Sequence, residues 1–175
     1  MPQNFARARN QILERITAQS LLVGRDPESV RLLAASKRTD AQGVIDAVRD
    51  GQLLFGENRA QSLRDKYKVV HPQCPQAQWH FIGHLQKNKI KYVVGKISML
   101  HSLDSLALAQ ALHERITREE LPPLDVLVQV KLGNEESKTG IPVSKLEALY
   151  DAIQQLSGLR LQGLMCIPPL YGQPE

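Results

Sequence analysis

Six short apolar runs along this chain alternate with stretches of mixed polar and apolar residues that read as helices. The short runs are Arg31–Ser36, Leu53–Phe55, Gln78–Ile82, Ile97–His101, Asp125–Val130 and Leu159–Leu164. Runs of this length suit buried strands, and apolar residues recurring at three- and four-residue steps suit helices that pack on one face. Strands alternating with helices argue for βα units around a parallel sheet. That rhythm constrains the fold more than any other feature.

The helical stretches carry their own start and stop signals. Phe5, Ala8, Ile12 and Ile16 make an amphipathic helix closed by Gly24, and Asp26-Pro27-Glu28 is turn chemistry. Asp40 is placed to cap a second helix that buries Val44, Ile45 and Val48 and stops at Gly51. A polar helix is expected over Arg59–Val70, a helix with a basic face over Leu85–Val94, and a long helix ending at Arg118 and capped by Ser102 or Asp104. A further helix is expected from Ser144 to Leu156. Residues 131–140 read as a polar loop, and the tail from Met165, with Pro168, Pro169 and Pro174, has no periodicity.

Two closures fit this order: an open doubly wound sheet or a (β/α)8 barrel. The first βα turn, Ser36-Lys37-Arg38-Thr39-Asp40, has no glycine-rich phosphate loop, which weakens the nucleotide-binding open sheet. A barrel needs eight strands and typically about 250 residues. With 175 residues and six units, the chain is either an open sheet or a barrel lacking its last two units. Its length predicts a single domain over residues 1–175, and 42% hydrophobic against 23% charged residues is ordinary globular composition. No stretch reaches the roughly 18 apolar residues of a membrane helix. Arg7, Arg9 and Arg15 are spread along a helical pattern without the apolar run of a secretory signal, so the cytoplasm is expected. Cys74 and Cys166 have no second cysteine or histidine at metal-ligand spacing, and Cys166 reads as a packing residue.

Parallel strands bring their carboxyl ends to one face, where ligands bind in α/β folds. The polar groups expected there are Ser36-Lys37, Glu57-Asn58, His80 with Gly83-His84, His101-Ser102 and Gln129 with Lys131. Lys37 has two readings, a solvated strand terminus or a reactive amine. On a strand of a packed barrel it would be partly desolvated, which lowers an ammonium pKa and frees a nucleophile toward aldehydes. The formal charge of +4 suits an anionic ligand or some nucleic-acid contact without establishing either. Lys87, Lys89, Lys91 and Lys96, with Tyr92 nearby, could touch phosphates, but no recognition motif accompanies them and a solvated helix face is the simpler reading. His80 and His84 straddle a strand-to-turn junction, so no metal pair is expected.

Several signatures recur in a fixed order: Ala34-Ala35-Ser36-Lys37, Phe55-Gly56-Glu57-Asn58, the eleven residues Trp79 to Lys89, His101-Ser102-Leu103-Asp104, Glu136-Ser137-Lys138-Thr139-Gly140, and Gly163 to Pro169. Together they resemble the pyridoxal phosphate homeostasis protein family, from about Leu32 to Pro169. The resemblance implies the alanine-racemase-type barrel, here without its C-terminal part after about six βα units. It implies that pyridoxal 5′-phosphate is held as a Schiff base on Lys37, with Asn58, His80 and Met165 on the cofactor side. The family's phosphate-binding segments, a Ser/Gly/Met-rich loop and an Arg-x-Gly turn, do not occur in this sequence.

The function implied is cofactor supply and vitamin B6 balance, with no catalytic residue assigned. Pyridoxal-phosphate-dependent apoenzymes are the implied partners, and a monomer is expected. One alternative is an amino-acid racemase or decarboxylase on the same fold, which would need a second acid/base on the opposite cofactor face. A weaker alternative is an RNA-associated protein resting on the Lys87–Lys96 face.

Overall fold

The structure, a computed structural model, describes residues 2–132 and 139–167. The Glu136–Lys138 part of one signature and Pro168-Pro169 of another lie outside the described residues. The chain divides into two compact units, Met1–Gly56 with Asp65–Gln78, and Glu57–Arg64 with Trp79–Glu175. Each is described by itself.

The first unit contains α1 (Pro2–Leu22), a 3-10 turn at Pro27–Ser29, β1 (Ala34–Ala35), α2 (Ala41–Arg49), the start of β2 (Leu54–Glu57) and the end of α3 (Ala60–Val70). β1 runs parallel to β2, with Ala34 opposite Phe55 and Ala35 opposite Gly56. The apolar run from Arg31 predicts a longer strand than these two residues. At its beginning a side chain takes the place of the ladder: the Gln52 amide donates to Leu32 O at 2.9 Å and to Leu54 O at 2.6 Å. Asp40 caps α2 as its position predicts, its Oδ1 accepting from Gly43 N at 2.8 Å. Val44, Ile45, Ala47 and Val48 form the buried face of α2. Gly51 ends that segment with φ +87°, a left-handed conformation that only glycine adopts without strain.

The second unit carries most of the parallel ladder. β3 (Gln78–Phe81) pairs with β4 (Met99–Leu103), placing His80 opposite Met99 and Phe81 opposite Leu100. β4 pairs with β5 (Leu124–Lys131), and β5 pairs with β7 (Leu159–Met165), all parallel. Between these strands lie α4 (Ile90–Val93), α5 (Leu106–Arg118) and α6 (Leu146–Gln154). The core is apolar and close-packed: Trp79, Phe81, Leu85, Leu100, Leu103, Leu108, Leu112 and Ile153 are each 2% exposed or less. Burying one such leucine contributes roughly 1.5–3 kcal/mol, and so fixes which helix face turns inward.

Three boundaries differ from the sequence expectation. The helix expected over Leu85–Val94 is a 3-10 turn at Lys87–Lys89 followed by only four α-helical residues, because Leu85 is buried in the core and Gln86 is extended (φ −76°, ψ 143°). Neither Ser102 nor Asp104 caps α5. β4 continues through Leu103, so the cap falls to Ser105, whose Oγ accepts from Leu108 N at 3.3 Å. A seventh strand among the described residues, β6 (Ile141–Pro142), pairs parallel with Val130 and Lys131 of β5. Two residues, one a proline without an N–H, leave little pattern to read.

Close backbone approach constrains one turn strongly. A Cβ added to Gly83 would lie 2.2 Å from Asn58 O, a main-chain atom, whereas one added to Gly43 would meet the side-chain Oγ1 of Thr39. Gly83→Ala should therefore cost about 3 kcal/mol or more, through forced backbone displacement. Gly43→Ala should change stability by about 1 kcal/mol or less, since Thr39 can yield and alanine favours the helix. Urea unfolding of the two variants checks the contrast, and equal losses would contradict it.

Candidate functional site

In the first unit the chain leaves β1 through a tightly bonded peptide. Ser36 N donates to Gly56 O at 2.9 Å and its Oγ to the same oxygen at 3.2 Å. Its carbonyl accepts from Thr39 N at 3.1 Å and from Lys66 Nζ at 2.7 Å. Lys37 follows directly, at the carboxyl end of β1 as the sequence implies, and is exposed. The desolvation expected for a strand-end lysine thus falls on Lys66, which is 9% exposed, and not on Lys37. A cavity of about 260 Å³ lies beside this strand end, lined by Ala35, Ser36, Thr39, Val44 and Phe55 among others.

The remaining candidates belong to the second unit. Glu57, 1% exposed, accepts from Asn58 N through Oε1 at 2.9 Å and from Ser62 Oγ through Oε2 at 3.2 Å. This fixes the main chain of Asn58 against Gly83 and leaves the residue exposed. His80 Nδ1 lies 2.8 Å from His101 Nε2, with the rings tilted by 53°. A contact of that length between two imidazole nitrogens requires one proton between them, so one ring donates and the other accepts. Burial pushes the His101 pKa below its ordinary value. Nearby, Ser102 Oγ donates to Gly83 O, and His84 Nδ1 meets Asp104 Oδ2 at 3.0 Å. Met165 closes β7 opposite Gln129 and is half-buried.

The second unit thus joins Asn58 to the Gly83 turn and His80 to His101, while Met165 stands on a different strand. Lys37 belongs to the other unit. Two partners escape a reading of the sequence. Lys66 sits in a polar helix segment with nothing to mark it as buried. His101 and His80 are 21 residues apart, and their meeting depends on a register that sets His80 opposite Met99. His101 then falls two residues on, facing the same side. Cys166 is exposed, not packed as expected. Among the described residues no group of three or more acidic, histidine or cysteine side chains could hold a metal ion. Among the same residues no helix is long and apolar enough to cross a membrane.

Comparison with known proteins matches this arrangement to one family. The model of the alanine racemase N-terminal domain family matches residues 60–175. The pyridoxal phosphate homeostasis protein of Escherichia coli is 40% identical over 159 residues, covering 90% of this chain and 68% of that protein. Its namesake from Aquifex aeolicus is 36% identical over 166 residues, covering 95% of this chain and 72% of the relative. Among solved structures, PipY of Synechococcus elongatus with PLP bound superposes with a TM-score of 0.75 at 36% identity, over 91% of this chain and 72% of that one. Alanine racemase of Clostridium difficile, at 13% identity and a TM-score of 0.65 over 94% of this chain and 40% of its own, shares the fold alone. Parallel βα units, the ordered strand-end signatures and these likenesses agree, and the chain belongs to the pyridoxal phosphate homeostasis protein family, on the alanine-racemase-type fold.

Proposed function

We propose that this chain binds pyridoxal 5′-phosphate through Lys37 and serves the intracellular supply of that cofactor. The observation that carries this reading is the likeness to PipY, a protein solved with PLP bound and 36% identical over 91% of this chain. The residues fit the group on their own chemistry. Lys37 is a primary amine that solvent, and so a dissolved aldehyde, can reach. When bound, the cofactor supplies an aldehyde carbon that forms a C=N bond with a lysine amine and releases water.

The chain's own residues prepare that step by position. The Ser36 peptide is fixed by Gly56, Thr39 and Lys66, so the backbone that carries Lys37 does not have to be ordered at the moment of binding. The family resemblance adds Asn58, with an amide, and Met165, with a thioether, to the proposed cofactor-side residues. His80 contributes an imidazole whose orientation is set through Nδ1 by His101. We assign a carrier in place of an enzyme: the likeness to alanine racemase at 13% identity concerns the backbone and brings no acid/base pair with it. Cytoplasmic placement, action as a monomer and delivery to pyridoxal-phosphate-dependent apoenzymes belong to the same proposal.

Purified protein mixed with pyridoxal phosphate should develop a visible absorption band, and borohydride should then fix the cofactor's mass on a peptide containing Lys37. Lys37→Ala should abolish both signals while leaving the thermal midpoint within a few degrees of the parent. An unchanged spectrum in that variant would remove Lys37 from the site.

His101 makes a separate prediction about pH. Its folded-state pKa is depressed by burial, so between that value and its ordinary 6.5 the unfolded chain binds more protons than the folded one. The stability it contributes is full above 6.5 and is lost as pH falls through the folded-state value. His101→Gln should flatten that part of the curve of urea midpoint against pH. A curve of the same slope in the variant would assign the acid sensitivity to other groups.

A further inference from the structure

Residues 66–103 contain no aspartate or glutamate and six lysines. In the second unit, four segments bring cations from this stretch and from its neighbours together. Arg64 of α3, Lys89 of the 3-10 turn and Lys91 of α4 stand 4.9, 5.6 and 5.2 Å from the ring centroid of Tyr92. On the α5 side of the same short helix, a cleft of about 220 Å³ is lined by Lys87, Asn88, Lys91, Glu114, Arg115 and Arg118 among others. Arg115 pairs with Glu119, which leaves Glu114 as the acidic lining residue opposite Lys87, Lys91 and Arg118. Lys91 belongs to both groups, so the cations form a continuous track from the cleft to the tyrosine.

We infer that this track binds the phosphate backbone of a single-stranded nucleic acid without reading its sequence. A compact anion would fill the cleft and leave the Tyr92 cluster unmatched, whereas successive phosphates fit both. Protein partners are disfavoured by composition, because protein interfaces are depleted in lysine and centre on buried aromatic or apolar anchors. None of the exposed large apolar residues among those described lies in 84–96 or 111–118. The same absence disfavours insertion into a lipid surface, which needs an apolar face. Tyr92 is half-buried and flanked by its three cations, so contact should fall on phosphates more than on stacked bases.

The test is fluorescence anisotropy of a labelled oligouridylate of roughly twelve nucleotides, a length within the range that single-strand grooves cover. If about three phosphates are neutralised, affinity should fall about 20-fold between about 50 and about 200 mM salt. Lys91→Glu with Arg118→Glu should weaken binding by about tenfold or more and lower the salt slope, as expected when phosphate contacts are removed. Lys145→Glu, an exposed charge reversal near α6, should leave binding within about twofold, since nonspecific long-range charge falls off over the Debye length. Circular dichroism confirms that each variant is folded, and Lys87→Gln with Lys89→Gln provides a milder neutralisation of the same track. Absence of binding at the lower salt, equal loss in the Lys145 control, or full affinity in both track variants would overturn the inference. So would lysine-dependent binding to phosphatidylserine vesicles by a protein that ignores the oligonucleotide. None of these readouts depends on pyridoxal phosphate.

Discussion

The carbonyl of Ser36 is where the first unit commits a charged group to its interior. A lysine amine buried without compensation would lose several kcal/mol of hydration. Lys66 instead places Nζ 2.7 Å from this carbonyl, at the point where β1 stops and the turn to α2 begins. The same oxygen also holds Thr39 N, so one acceptor ties α3, β1 and the turn that precedes the Asp40 cap. Lys37 is the next residue. Its position follows from that knot, and its exposure follows from the direction in which the chain leaves it. The two lysines divide the work: the buried one supports the backbone, and the exposed one remains accessible to an aldehyde.

What the sequence discloses depends on how local the physics is. The Asp40 cap is legible because an N-cap involves residues three apart, and it holds as read. The α5 cap is misassigned for a related reason: Ser102, Asp104 and Ser105 are all competent caps, and the choice is made by the length of β4, which pairing with β5 determines. The parallel βα order is legible because burial of both sheet faces makes strands apolar throughout. β1 is shorter than its apolar run because Gln52, a residue with no local signature, occupies the carbonyls that would start the ladder.

The candidate site shows the same division. Lys37 and Asn58 lie just beyond strand ends, Met165 ends β7, and His80 is the penultimate residue of β3. Two of the contacts that orient them are tertiary, Lys66 on Ser36 and His101 on His80, and one is local, Glu57 on Asn58 N. Backbone likeness outlasts sequence likeness, since a racemase at 13% identity still superposes over 94% of this chain. Within each unit the fold therefore supplies the strand ends, and the side chains that support them determine which chemistry they perform.

The basic stretch tests that view from the opposite direction, because local stability gives no reason for it. Lys87 and Lys91 are four residues apart across the junction of the 3-10 turn and α4. A like-charged pair at this spacing on a helix costs about 0.2–0.5 kcal/mol, and an acidic residue at either position would reverse the sign. The apolar side of the same segment is fully used, with Leu85, Ile90 and Val93 each no more than 4% exposed, so packing already accounts for its folding. The Tyr92 ring offsets repulsion of that size, contributing about 0.5–1 kcal/mol for an exposed cation such as Lys89 or Lys91. The ring has no formal negative charge, and Glu114 is the acidic lining residue beside Lys87, Lys91 and Arg118 after Arg115 pairs with Glu119, so the track keeps a net positive charge that an anionic chain would match.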